Sequence, residues 1–117
     1  MGRASMRALV VGADRVRPIC AELEQTSPLG VTCTECWSGR QPGDARRPLP
    51  ADTRVVVVLC DRVNHNLLFS VRRQAEGRGV PVVYCRHSLV DVRAKIARLV
   101  VADAERRERT GEVRRRA

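Results

Sequence analysis

Aromatic side chains are almost missing from this chain. Trp37, Phe69 and Tyr84 are one of each kind, 3% of 117 residues. So few rings exclude a platform on which successive bases of a single strand would stack. Lysine is scarcer still: Lys95 is the one lysine among 22 Lys+Arg. So strong an arginine bias is partly compositional, so single arginines carry less meaning than usual. Long apolar runs are lacking too. The longest, Val55–Cys60, is far short of the roughly 20 residues a membrane helix needs. No apolar stretch follows the first residues, so no export signal is expected. The strings G-x-G-x-x-G, G-x-x-x-x-G-K-[ST] and G-x-S-x-G do not occur. That argues against a standard dinucleotide site, a P-loop nucleotidase and a hydrolase nucleophile elbow.

What is present suffices for one small domain. Hydrophobic residues make up 44% and charged residues 30%, with a formal net charge of +9. The five cysteines are Cys20, Cys33, Cys36, Cys60 and Cys85. An odd number with no export signal points to reduced thiols in the cytoplasm. Cys33-Thr-Glu-Cys36 has the C-x-x-C spacing of a redox motif or half a zinc site. Its possible co-ligands, Cys60, Cys85, His65 and His87, form no second close pair. The thiols therefore read as small apolar core residues, and no metal is expected.

Residues 1–5 lie outside the apolar pattern, which makes Met6 an alternative start and 6–104 the domain. Ala8–Val11, stopped by Gly12, reads as a buried strand. Asp14 is a candidate cap for a helix with Val16, Ile19, Cys20 and Leu23 on one face. Val31-Thr32-Cys33 begins a weaker strand. Ser38–Asp52 is a long irregular loop of a kind that is often functional. Val55–Leu59, a continuous β-branched run, predicts a central parallel strand. Asn64 caps a helix running to about Glu76, with Leu67, Leu68, Val71 and Ala75 inward and Gly77-Arg78-Gly79 as its stop. Val80–Tyr84 is a fourth strand, placed at an edge or entrance by Pro81. Ser88 caps a last helix with Leu89, Val92, Ile96, Leu99 and Val100 on its core face. From Glu105 the chain becomes a basic tail, residues 105–117, read as a frayed helix end or disorder. The alternation β-α-β-(loop)-β-α-β-α predicts a minimal Rossmann-like or flavodoxin-like α/β fold. Its doubly wound parallel sheet has four strands in the order 2-1-3-4.

Ligands of such sheets bind beyond the carboxyl ends of the strands. Those ends carry Gly12 and Asp14; Trp37, Gly39 and Arg40; Asp61, Asn64, His65 and Asn66; Arg86, His87 and Ser88. Two of the segments open helices, whose free N–H groups favour an anion and disfavour a protonated imidazole. Arg86 and Arg40 supply guanidinium forks suited to phosphate or carboxylate. Asp61 and Asn64 also read simply as a strand-end carboxylate and a cap, and His65 as a surface residue.

Three segments carry a resemblance: M-R-A-L-V-V-G-A-D, V-V-V-V-L-C-D-R-V-N-H-N-L and G-V-P-V-V-Y-C-R-H-S. Together they resemble an uncharacterised bacterial family catalogued as domain of unknown function 2325. The likeness spans roughly Met6 to Leu99, and D-x-x-N-H-N, from Asp61 to Asn66, is its most specific part. It implies family positions at Gly12, Asp14, Gly39 and Arg40. It also implies Thr in place of Cys60 and Ser or Cys at Cys85, so that thiols are not the shared chemistry. It brings no established activity.

These readings converge on a regulatory module that binds a small molecule or anion, nucleotide-like or phosphate-like, at the rim of the sheet. A nucleic-acid-associated protein is the first alternative, with weak, salt-sensitive contact through Arg106, Arg107, Arg109, Arg114, Arg115 and Arg116. An enzyme is the second, with Asp61 and His65 as an acid–base pair and Cys60 or Cys85 as nucleophile. A four-stranded sheet has open edges, which a homodimer would cover.

Overall fold

The computed structural model describes residues 6–13, 16–25, 30–39, 43, 46–61 and 63–116, with 107–116 as backbone. The elements are β1 (Arg7–Val11), α1 (Arg17–Gln25), β2 (Cys33–Trp37), β3 (Thr53–Leu59), α2 (His65–Arg78), β4 (Val82–Cys85) and α3 (Leu89–Arg116). The four strands form one sheet in the order β2-β1-β3-β4, every pair parallel. This is the α/β doubly wound fold and the strand order that the alternation predicts.

Strand alternation sorts the core into two layers. Ala8, Val10, Val55, Val57, Leu59, Val83 and Cys85 point to one face, where α1 and α3 cover them with Ile19, Leu23, Val92 and Ile96. Leu9, Val11, Trp37, Val56 and Val58 point to the other, under Leu67, Val71 and Ala75 of α2. Val55 to Leu59 are wholly buried, which explains why β3 has no polar alternation: both its faces are covered. Each such side chain contributes about 1.5–3 kcal/mol by leaving water.

Several boundaries move from the sequence reading. β2 begins at Cys33 and ends at Trp37, so Trp37 is the buried last residue of a strand and not part of a rim loop. Its ring packs beneath α2, where the guanidinium of Arg47 stacks at 5.1 Å from its centroid. β4 begins at Val82, because Pro81 serves the sheet only as an acceptor, its carbonyl taking the N–H of Val56. α2 passes through Gly77 and stops at Gly79, whose φ of 67° is the left-handed turn that releases the helix. α3 continues through the basic segment as far as Arg116. It is tied to the sheet by an ion pair from Arg54, at a register irregularity near the start of β3, to Asp103 at 2.9 Å. Among the described residues no helix is long and apolar enough to cross a membrane.

Candidate functional site

Because all four strands are parallel, all four following loops emerge on one edge. Hydrogen bonds and close backbone approaches join them. The N–H of Gly12 donates to the carbonyl of Trp37 at 2.9 Å, which binds the end of β1 to the end of β2. Gly12 holds φ 112°, and a Cβ there would sit 2.8 Å from the Leu59 carbonyl and 3.2 Å from Cβ of Val63. The β1 loop thus lies directly on the β3 loop, which is why glycine is needed. Gly39, at φ 84°, brings the β2 loop against α2; a Cβ there would meet Cδ2 of Leu67 at 3.1 Å and Cβ of Asn64 at 3.3 Å.

Two hydrogen bonds join the β3 and β4 loops. The N–H of Cys60 donates to the carbonyl of Cys85 at 2.8 Å, extending the ladder one residue beyond the strands. Just past it, Oδ2 of Asp61 accepts the N–H of His87 at 3.1 Å. Gly12, Gly39, Asp61, Asn64, His65, Asn66, Arg86, His87 and Ser88 are therefore arrayed on one rim. Asp14 and Arg40 lie outside the described residues.

Side chains close part of each helix start. Oδ1 of Asn64 accepts the N–H groups of Asn66 at 2.8 Å and Leu67 at 3.4 Å. Oγ of Ser88 accepts the N–H of Asp91 at 3.4 Å, and Oδ2 of Asp91 accepts the N–H of Arg86 at 2.7 Å. With His87 held by Asp61, the amides of Asn66, Leu67, Arg86, His87 and Asp91 already serve the chain's own oxygens. The rim therefore offers side chains: the exposed Arg86 guanidinium, the exposed His65 and His87 imidazoles, and the amide of Asn66.

Sequence reasoning missed Asp91, although the signal was there. Ser88-Leu89-Val90-Asp91 has the S-x-x-[DE] form of a capping box. The bond from the Arg86 N–H, with the Lys95 ammonium 3.4 Å away, holds the Asp91 carboxyl below its ordinary range.

Asp61 and His65, the acid–base candidates read from sequence, are not hydrogen-bonded to each other among the described residues. The Asp61 carboxylate is engaged with the His87 backbone. Cys85 is buried, and that burial, with Asp91 nearby, pushes its thiol up to about 11, so it is protonated at neutral pH. Cys60 is exposed, with Sγ 3.8 Å from the Val58 carbonyl. No group of three or more His, Cys, Asp or Glu side chains poised for a metal occurs among the described residues.

A separate groove of about 930 Å³ runs along the outer face of α2, lined in part by Arg46, Phe69, Arg72 and Arg73. Its floor is organised by Gln74, which accepts from the Leu49 N–H at 2.8 Å and donates to the Arg47 carbonyl at 2.9 Å. Phe69 is 65% exposed. Sequence reasoning did not mark this face as a surface of interest.

Comparison of the chain with protein-family models, with curated proteins and with solved structures found no match in any of the three.

Proposed function

We propose that this protein is a cytoplasmic, regulatory binding module whose small polar or anionic ligand sits on the rim of the sheet. The observation that carries the reading is the bond from the His87 N–H to Asp61. It holds the β3 and β4 loops together, so that His65 and Asn66 share an edge with Arg86 and His87. With several rim amides engaged by the chain's own oxygens, ligand charge is met by the guanidinium of Arg86 and by imidazole donors. A phosphate or carboxylate matches that set. Membership in the uncharacterised family that the sequence resembles is part of this proposal, and the D-x-x-N-H-N segment is where it rests. The test is thermal shift of the purified protein against nucleotides and phosphorylated metabolites. Stabilisation by one compound class, lost in Arg86→Ala and His65→Ala, is the expected result. No shift with any compound, with native mass spectrometry showing no co-purified ligand, overturns it.

A second reading is favoured by the α2 groove. An exposed phenylalanine among Arg46, Arg72 and Arg73 is the pairing of ring and cation that holds a single nucleic-acid strand. The scarcity of rings elsewhere limits it to one base at most. Retardation of a labelled single strand that is lost in Phe69→Ala and weakens steeply with salt supports this reading; retardation indifferent to Phe69 removes it.

A further inference from the structure

The strand alternation that builds the core also decides which cysteines meet. Cys33 and Cys36 are separated by three positions on β2 and so lie on opposite faces of the sheet. Cys33 faces the side of Arg7, Glu35 and Trp37, where the Arg7 guanidinium bonds Glu35. Cys36 faces α1, and there its Sγ lies 3.6 Å from Sγ of Cys20. The C-x-x-C spacing is thus irrelevant in the folded chain, and a different pair has been assembled.

We propose that Cys20 and Cys36 are a reversible dithiol–disulfide pair that clasps α1 to the edge strand β2. Neither partner has far to move: a disulfide needs an S–S distance of about 2.05 Å. The two elements are already held in register beside the pair, since Oγ1 of Thr34 donates to Oε2 of Glu24 at 2.8 Å. Access is open, because Cys36 is exposed and Cys20 partly so. β2 is also an outer strand of the sheet, so nothing on the described chain pairs with its far side.

The oxidant is a peroxide. A thiolate of the pair attacks one peroxide oxygen, the O–O bond breaks, and the departing oxygen leaves as water after taking a proton. The resulting sulfenic acid is attacked by the other sulfur, the S–S bond forms, and its oxygen leaves as a second water. Two electrons pass from the two sulfurs to the peroxide, and both thiol protons end in water. A small dithiol reverses the step by exchange, becoming a disulfide itself. Although the residue is exposed at the surface, partial burial of its sulfur and the neighbouring Cys20 push the Cys36 thiol up. The pair reacts slowly, as a clasp that records sustained oxidation rather than a fast peroxide scavenger.

The experiment is peptide mapping of the full chain after hydrogen peroxide treatment of the native protein and blocking of remaining thiols. A Cys20–Cys36 cross-linked peptide, lost after dithiothreitol, is expected. Closing the span between these residues raises Tm by roughly 10 °C, and neither Cys20→Ser nor Cys36→Ser shows that rise. Mapping of the unmutated chain decides the matter even if a variant fails to fold. Oxidation confined to Cys60, or Cys20 and Cys36 carried to separate sulfinic acids with no cross-link, overturns the proposal.

Discussion

The carboxylate of Asp61 accepts the backbone N–H of His87 across 26 residues of chain, at 3.1 Å. The bond ties the loop after β3 to the loop before α3, next to the last rung of the sheet between Cys60 and Cys85. It makes Asp61 an organiser of the rim. Replacing Asp61 by Ala leaves the His87 N–H facing solvent. Because the site is exposed, the stability cost is below about 1 kcal/mol. Amide exchange reads the effect more sharply: the His87 amide exchanges several-fold faster in the variant while amides of β1 and β3 do not change. Equal protection in both proteins contradicts the bond.

Two glycines of the rim separate by what surrounds them. Gly12→Ala forces a Cβ to 2.8 Å from the Leu59 carbonyl at a φ of 112°, where side chains are strained. We expect a loss of about 2–4 kcal/mol in urea unfolding. Gly39→Ala also sits at positive φ, but its nearest neighbour is the movable Cδ2 of Leu67 at 3.1 Å. Its loss should be about 1–2 kcal/mol. A reversed ranking would place the tight approach at the wrong strand end.

Asp91 predicts a pH signature. Its folded-state carboxyl is held low, chiefly by the Arg86 N–H and further by Lys95. A depressed carboxyl contributes stability that is complete above its unfolded value. That contribution is lost as pH falls below about 4 toward the folded value. Asp91→Asn should lower Tm at pH 7 and flatten the acid limb of the Tm–pH profile. A parallel downward displacement at every pH would mean that the carboxylate charge is not involved.

The thiols flanking the β3 and β4 strand ends should react in a fixed order. Cys60 is exposed, whereas Cys85 is buried with its thiol pushed up to about 11. Iodoacetamide at pH 7 should label Cys60 well before Cys85. The Cys85 rate should climb as pH rises toward 11. Mass mapping at several pH values measures both, and early labelling of Cys85 would show that β4 opens readily.

The fold was legible because each element carries its own signal. The unbroken β-branched run of β3 announces a strand buried on both faces. Asn64 and Ser88 mark two helix starts by side chains that satisfy backbone N–H groups. Gly79 marks a helix end by a conformation that other residues avoid. The place of Trp37 was misread because β2 is polar at Thr34 and Glu35, and its alternation is too weak to show where it ends. The partners of the rim amides were not legible for a different reason. Local capping rules say which amides need partners, but Asp61, which satisfies one of them, comes from a distant loop.

The order of strands and helices, the shared edge of the four loops and the two-layer core follow from local propensity and hydrophobic period. Those quantities depend on near neighbours, so the chain alone determines them. Which carboxylate meets which amide, and that Cys36 faces Cys20 while Cys33 turns away, depends on contacts between residues far apart along the chain. Only packing in three dimensions decides these, because strand alternation and helix docking bring the partners within bonding distance.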